Sequence, residues 1–268
     1  MNPGLGSTTR LLLERASSAL RDATLAMLFP VECRVCGEMI ESWIDGVACG
    51  QCWFAVEQKI EQIRAENNFC AKCGLPLPPL PQINLSEARH CGRCDELAFS
   101  IARACGVYEG ALRESVLRLK SRPQIPARLR KLLKTTASVL QDIQSCESII
   151  PVPLHQSRFI ERSFNQAAVI ANELAAITGL QVDTASLVRT KRTEKHRAGM
   201  KTRERARSLE KAFRVRAPRL IENKAVLLVD DVMTTGSTAN EIAQTLLQGG
   251  AKTVSILTLA RAATEFNF

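Results

Sequence analysis

Eight of the chain's ten cysteines fall into four pairs of one spacing: Cys33/Cys36, Cys49/Cys52, Cys70/Cys73 and Cys91/Cys94. Two thiolates three residues apart can grip one tetrahedral ion, and in a reducing compartment the pattern signals metal rather than disulfides. Gly37 and Gly74 directly follow two of the pairs and permit the left-handed turn that aims backbone amides at sulfur. Twelve residues separate the first two pairs and seventeen the last two, which suits two successive four-cysteine zinc ribbons holding two structural Zn²⁺ ions. Cross-bracing, first pair with third, would use the same ligands. Four redox dithiols would leave the fourfold repetition unexplained. His90 is read as a bystander, and Cys105 and Cys146 as small core residues.

With 268 residues and 46% hydrophobic content, the chain has room for a good-sized core beside this module. No apolar run approaches the roughly 18 residues of a membrane span. Arg10, Glu14, Arg15, Arg21 and Asp22 interrupt the amino-terminal segment, unlike a signal peptide, so a cytoplasmic location is expected. Thr9 to Leu28 has helical apolar spacing and ends at Phe29-Pro30, predicting an amphipathic helix that packs on the protein itself, a partner or a membrane. The expected divisions are 1–30 for this helix, 31–97 for the metal module and 98–268 for the remainder. A proline-rich stretch, Leu75 to Pro81, joins the two halves of the module.

Beyond Ala98, helical and strand-like patterns alternate. Glu109–Leu119, Ala127–Gln141, Asn165–Thr178 and Ser237–Gln248 read as helices, and Ser148–Val152, Lys224–Val229 and Thr253–Leu259 as strands. This alternation predicts an α/β fold with a parallel sheet flanked by helices, whose ligands bind at the carboxyl ends of the strands. One such end reads VLLVDDVMTTGST, from Val226 to Thr238. Four apolar residues cross the sheet, Asp230 and Asp231 emerge, and a hydroxyl-rich turn around Gly236 opens the next helix. Free amides at a helix start can hold a phosphate dianion. Two carboxylates beside a phosphate would repel it unless something lies between, and a ribose 5′-phosphate, with hydroxyls toward the acids, does that well.

This stretch resembles the phosphoribosyl-pyrophosphate signature of type I phosphoribosyltransferases at all thirteen positions in kind. The whole chain resembles the ComF family, in which paired-cysteine zinc units precede such a domain. Supporting matches are Leu28-Phe29-Pro30, Leu119-Lys120, Pro151-Val152-Pro153-Leu154, Arg162-Ser163-Phe164-Asn165-Gln166, Leu187-Val188-Arg189 with Thr193, and Ala212-Phe213. The resemblance implies that Asp230 and Asp231 hold ribose hydroxyls, and that Thr234, Thr235, Gly236, Ser237 and Thr238 hold the 5′-phosphate. It further implies that the Pro151, Val152, Pro153, Leu154 turn meets a pyrophosphate chelated by Mg²⁺. If the chain turns over, it would be a phosphoribosyltransferase; the acceptor is open. Thr234 stands where purine-salvage relatives carry a basic carboxylate, which argues against a purine. His196 stands where the family commonly has Gln, and Ser208-Leu209 where it commonly has Asn.

The ComF resemblance also implies a role in natural transformation, with single-stranded DNA received on the cytoplasmic side and a helicase or import channel as partner. Charge agrees. Between Arg189 and Arg219 there are thirteen Lys/Arg and three Asp/Glu, a local +10, whereas the whole chain carries +9. Such a block is either a phosphate footprint or a solvated helical face. Lys195, Arg197, Lys201, Arg203 and Arg205 are the candidate nucleic-acid contacts. Aromatic residues are few, at 4%; Trp43, Trp53, Phe54 and Phe69 are candidate stacking groups near the metal ligands, with packing in the zinc module the other role open to them. A zinc module that serves only to dock a DNA-import partner is the third reading.

Overall fold

A computed structural model describes residue 24 and residues 30–40, 46–78, 88–139, 141–191 and 211–262. The helix expected over Thr9–Leu28 therefore lies outside the described residues, Thr24 excepted, as do Trp43, His196 and the five candidate nucleic-acid contacts. In chain order the elements are α1 (Gly50–Ala65), β1 (Ile101–Val107), α2 (Gly110–Leu119), α3 (Ala127–Val139), α4 (Gln141–Gln144), β2 (Ser148–Pro151), α5 (Gln156–Arg162), α6 (Gln166–Thr178) and β3 (Gln181–Val182). There follow β4 (Leu187–Arg189), β5 (Phe213–Val215), a 3₁₀ turn at Pro218–Leu220, β6 (Ala225–Met233), α7 (Ser237–Gln248) and β7 (Thr253–Arg261).

Five strands form one parallel sheet in the order β1-β7-β6-β2-β3, as the alternating pattern predicts. The centre is built for burial on both faces. Val226, Leu227, Leu228 and Val229 are each 0% exposed, and full burial of such side chains stabilises by about 1.5–3 kcal/mol apiece. Leu227 and Val229 face a core shared with α2, α3 and α6, whereas Val226 and Leu228 face one shared with α7. Each metal-ligand cluster extends one of these cores. Cys33, Cys49 and Trp53 join the first, and Cys70, Cys73, Leu75 and Cys94 join the second.

One boundary differs from the sequence reading. Strand β6 continues to Met233 instead of ending at Val229, because its ladder with β7 runs on through Asp230↔Thr258, Val232↔Ala260 and Met233↔Arg261. The ladder on its other side stops at Pro151↔Val229, where β2 ends. Asp230 and Asp231 thus lie inside the strand, on an edge that has just lost its neighbour. β6 connects to β7 on one side and β2 to β3 on the other, so this opening is the sheet's topological switch point, the usual ligand crevice of such folds. Of the helix read as Ala127–Gln141, α3 is described to Val139 and α4 from Gln141, and residue 140 lies outside the described residues.

Candidate functional site

The turn after β6 makes an anion cradle from local sequence alone. Gly236 takes φ +83° at the N-cap of α7, and a Cβ there would lie 2.9 Å from Met233 Cε and 3.6 Å from Leu97 Cδ1. Glycine meets both the left-handed backbone and the close packing. Thr235 and Ser237 share a hydroxyl hydrogen bond of 2.8 Å, Thr235 Oγ1 also accepts from the Ser237 amide at 3.4 Å, and the N-cap Gly236 has no side chain to cap the helix. The next amides of the first turn, those of Thr238 and Ala239, are open to a ligand. A cavity of about 40 Å³ beside them is lined by Val152, Asp230, Thr234, Gly236, Ser237 and Thr238, among others.

Next to this cradle the two carboxylates are held apart in role. Burial, then the neighbouring Asp231, push Asp230 well above the usual carboxylate range. Its Oδ1 accepts from the Asp231 amide at 2.8 Å. Asp231 Oδ1 accepts from the Val232 amide at 2.8 Å, and its Oδ2 receives Gln166 Nε2 at 3.3 Å and lies 3.9 Å from Lys120 Nζ. A carboxyl raised by burial beside a second carboxylate favours hydroxyl donors or a cation-bearing ligand. A ribose carrying a magnesium-chelated pyrophosphate supplies both.

The facing wall is Pro151 to Leu154. The Val152 amide donates to Val229 O at 2.9 Å, and Val152 O accepts from Asn165 Nδ2 at 3.0 Å. Asn165 also caps α6, its Oδ1 accepting from the Ala167 amide at 3.0 Å. One side chain therefore fixes both a helix start and the turn opposite the carboxylates. His155 plays a similar local part, capping α5 through Nδ1 to the Ser157 amide at 3.2 Å.

The cysteines gather as two sequential sets, Cys33/Cys36/Cys49/Cys52 and Cys70/Cys73/Cys91/Cys94, and cross-bracing is set aside. Within the sets, sulfur–sulfur distances are 3.5–3.7 Å for Cys33–Cys52, Cys36–Cys49, Cys70–Cys94 and Cys73–Cys91. Four sulfurs at about 2.3 Å from one tetrahedral zinc ion would stand about 3.8 Å apart, so both sets fit the metal. Glycines 37 and 74 have φ of +80° and +64°, and the Val35 and Cys49 amides point at Cys33 Sγ at 3.4 and 3.3 Å. Burial raises the Cys33 thiol, but the amides of Cys36, Cys49 and Val35 outweigh it and bring it down to about 6. Cys52 and Cys94 are raised by burial and by their fellow thiols. Such a set ionises fully only around a cation. Cys105 and Cys146 are buried away from both sets, and burial pushes the Cys105 thiol up to about 12.

Of the residues singled out from sequence, Asp230, Thr234, Gly236, Ser237, Thr238 and Val152 line one cavity, whereas Asp231 turns to Gln166 and Lys120 and Thr235 lines the neighbouring cleft beside Cys73 and Cys91. Four further residues were not assigned roles by sequence: Lys120, Asn165, Gln166 and Arg189. The last lies over the Phe213 ring at 5.3 Å; burial, then Arg158, lower its pKa, and Asp230 opposes them. Gln166 and Asn165 sit in the Arg162–Gln166 stretch already matched to the family, which was the available signal. Arg189 opens the +10 stretch, and the antiparallel pair of β4 and β5 holds the described residues on either side of 192–210. On the later side the Lys211 amide donates to Glu241 Oε1 on α7 at 2.8 Å. Of the aromatic candidates, Trp53 is 1% exposed and is core, whereas Phe54 is 58% exposed.

Comparisons with known proteins agree with both halves. Residues 24–95 match the family described as a double zinc ribbon domain, and residues 162–265 the one described as a phosphoribosyl transferase domain. The "DNA utilization protein YhgH" of Salmonella typhimurium is 34% identical over 222 residues, 80% of this chain and 89% of that protein. "Competence protein F" of Haemophilus influenzae is 31% identical over 74% of this chain and 92% of its own length. "Competence protein ComFC" of Streptococcus pneumoniae is 25% identical over 86% of this chain and all of its own. No helix among the described residues is long and apolar enough to cross a membrane.

Proposed function

The chain belongs to the ComF family of proteins that join a double zinc ribbon to a phosphoribosyl transferase domain, and on that premise we propose that it binds phosphoribosyl pyrophosphate with Mg²⁺ and handles single-stranded DNA on the cytoplasmic side during DNA uptake. The observation that carries the ligand is the crevice at the switch point. There the start of α7 and Asp230 line one cavity, and Asp231 follows Asp230 on the strand edge that β2 has left. Asp230 and Asp231 would take the ribose hydroxyls, Thr234 to Thr238 the 5′-phosphate, and the Pro151–Leu154 turn the pyrophosphate. Lys120 and Arg189 supply positive charge where the pyrophosphate and its metal would add negative charge and demand balance. The DNA part rests on the relatives' names and on the +10 stretch, not on the crevice.

Calorimetric titration of phosphoribosyl pyrophosphate with Mg²⁺ into the native chain and into Asp230→Asn/Asp231→Asn tests the reading. Binding that the variant loses supports it. No binding by the native chain overturns it and leaves the crevice as a scaffold.

A further inference from the structure

Arg261 is the last residue of β7 and is 5% exposed, yet it belongs to no ion pair with a carboxylate among the described residues. Its guanidinium is used in three directions. Nη1 donates to Met233 O at 2.9 Å and to Thr234 O, the two carbonyls at which β6 becomes the cradle. Nη2 lies 3.9 Å from Cys73 Sγ, a ligand of the second zinc set. A zinc ion with four thiolates carries a net charge of about −2, so a buried guanidinium beside it is a matched counter-charge. The geometry points to Arg261 as a positioning residue that ties the shape of the Thr234–Thr238 cradle to the occupancy of the second zinc set, and not of the first.

Two other contacts run the same way. The Ala98 amide, just past the second set, donates to Asn240 Oδ1 at 2.7 Å, and the Asn240 amide donates to Gly236 O at 2.8 Å. Lys72, between Cys70 and Cys73, donates from Nζ to Leu97 O at 2.8 Å, and Leu97 is the side chain packed nearest Gly236 after Met233. A cleft of about 240 Å³ has Cys73, Cys91 and Cys94 on one wall and Thr234, Thr235 and Ser237 on the other, with Arg261 between them. The first set is placed differently. Its neighbours are α1, α2 and the turn before α3, where Arg118 Nη1 donates to Gly46 O at 2.9 Å. It therefore serves as an internal control.

Where the inference concerns ligand affinity it rests on the proposed phosphoribosyl pyrophosphate site; where it concerns the cradle's order it does not. Cys73→His keeps a common Cys₃His zinc set but removes the thiolate that faces Arg261, and Cys36→His does the same in the first set. Arg261→Met removes the fork itself, and Arg261→Lys restores the charge without it. Each full-length variant would be assayed for zinc content, for hydrogen exchange over residues 233–240, and for binding of phosphoribosyl pyrophosphate with Mg²⁺. With two zinc ions retained, Cys73→His and Arg261→Met should exchange faster over the cradle and bind roughly tenfold more weakly or worse, with Arg261→Lys between them and native. Cys36→His should match native in both. Native-like exchange in Cys73→His and Arg261→Met, or equal effects from Cys36→His and Cys73→His, overturns the inference. If Arg261→Met does not fold, Cys73→His decides. If Cys73→His loses its zinc, it is compared with Cys36→Ser, and equal exchange overturns the inference. Failure of native protein to bind the ligand sinks the proposed function alone, since the exchange result stands without it.

Discussion

Gln166 Nε2 donates to Asp231 Oδ2 at 3.3 Å, joining the start of α6 to β6 at the point where the β2 ladder has ended. Gln166 is 6% exposed, and its Oε1 has no hydrogen-bond partner among the described residues. A buried amide that is only half used is a poor choice for stability and a reasonable one for aiming a carboxylate. Gln166→Leu should accordingly leave the melting temperature within about 2 °C of native. Binding of phosphoribosyl pyrophosphate with Mg²⁺ should weaken roughly five- to tenfold. Melting and calorimetry on one preparation check both; a large loss of stability with unchanged binding would make Gln166 a packing residue.

Asp230→Asn should separate stability from binding. Burial, then Asp231, raise the folded-state pKa above the ordinary 3.8. The stability Asp230 contributes is therefore present below about pH 4 and lost as pH rises through the folded value. At neutral pH the neutral amide should raise the melting temperature of the ligand-free chain above that of native. The gain should vanish toward pH 4, and ligand binding should be lost at every pH. A variant that melts lower than native at pH 7 would show that Asp230 is structural.

Zinc retention should follow acidity with a defined sign. For Cys70, as for Cys33, burial raises the thiol but backbone amides, here those of Cys73 and Cys91, bring it down to about 6. These folded values lie below the ordinary 9.0, so each thiolate contributes stability that is full above about pH 9 and lost as pH falls to about 6. Elemental analysis should report two zinc ions per chain at neutral pH, one for each four-cysteine set, and a fall below about pH 6. Cys33→Ser and Cys70→Ser should each leave one ion. One ion in the native chain would contradict the two-site reading.

The residues that were legible in the sequence are those whose pattern has one physical solution. Val226–Val229, apolar without alternation, reads as a strand covered on both faces, and four equal cysteine spacings read as metal ligands. Short elements such as α5, β3, β4 and β5 were not read, and two longer ones were missed, each for a local reason. Strand β1 carries Arg103, Cys105 and Gly106, and its burial alternates irregularly because the second zinc loop covers part of one face, with the Ala102 amide donating to Lys72 O at 2.7 Å. Helix α1 begins at a cysteine pair, with Cys49 as its N-cap and Cys52 in its first turn, so ligand spacing hid helix periodicity. The meeting of Arg261 with Cys73 was not legible at all, since they stand 188 positions apart and are joined through the zinc loop's bond to β1, from the Ala102 amide to Lys72 O, and the parallel ladder of β1 and β7.

The last expectation concerns DNA. On either side of residues 192–210, which lie outside the described residues, the chain is tied down: the Thr190 amide donates to Ala212 O at 2.8 Å, and the Lys211 amide donates to Glu241 Oε1 on α7 at 2.8 Å. Both flanks are thus fixed near the start of α7, while Lys195, Arg197, Lys201, Arg203 and Arg205 lie outside the described residues. If these five meet a DNA backbone, changing them together to Ser should weaken single-stranded DNA binding. The slope of log K against log salt should fall by about 0.7 for each phosphate that the variant no longer neutralises, because every neutralised phosphate releases condensed counterions. Fluorescence anisotropy of a labelled oligonucleotide across a salt series measures both. Phosphoribosyl pyrophosphate binding at fixed salt should change far less, since that ligand is assigned to the Thr234–Thr238 cradle and the Asp230–Asp231 pair. Unchanged DNA affinity with an unchanged slope would remove the basic stretch as the footprint and move the search to the zinc ribbons, where Phe54 is exposed on α1.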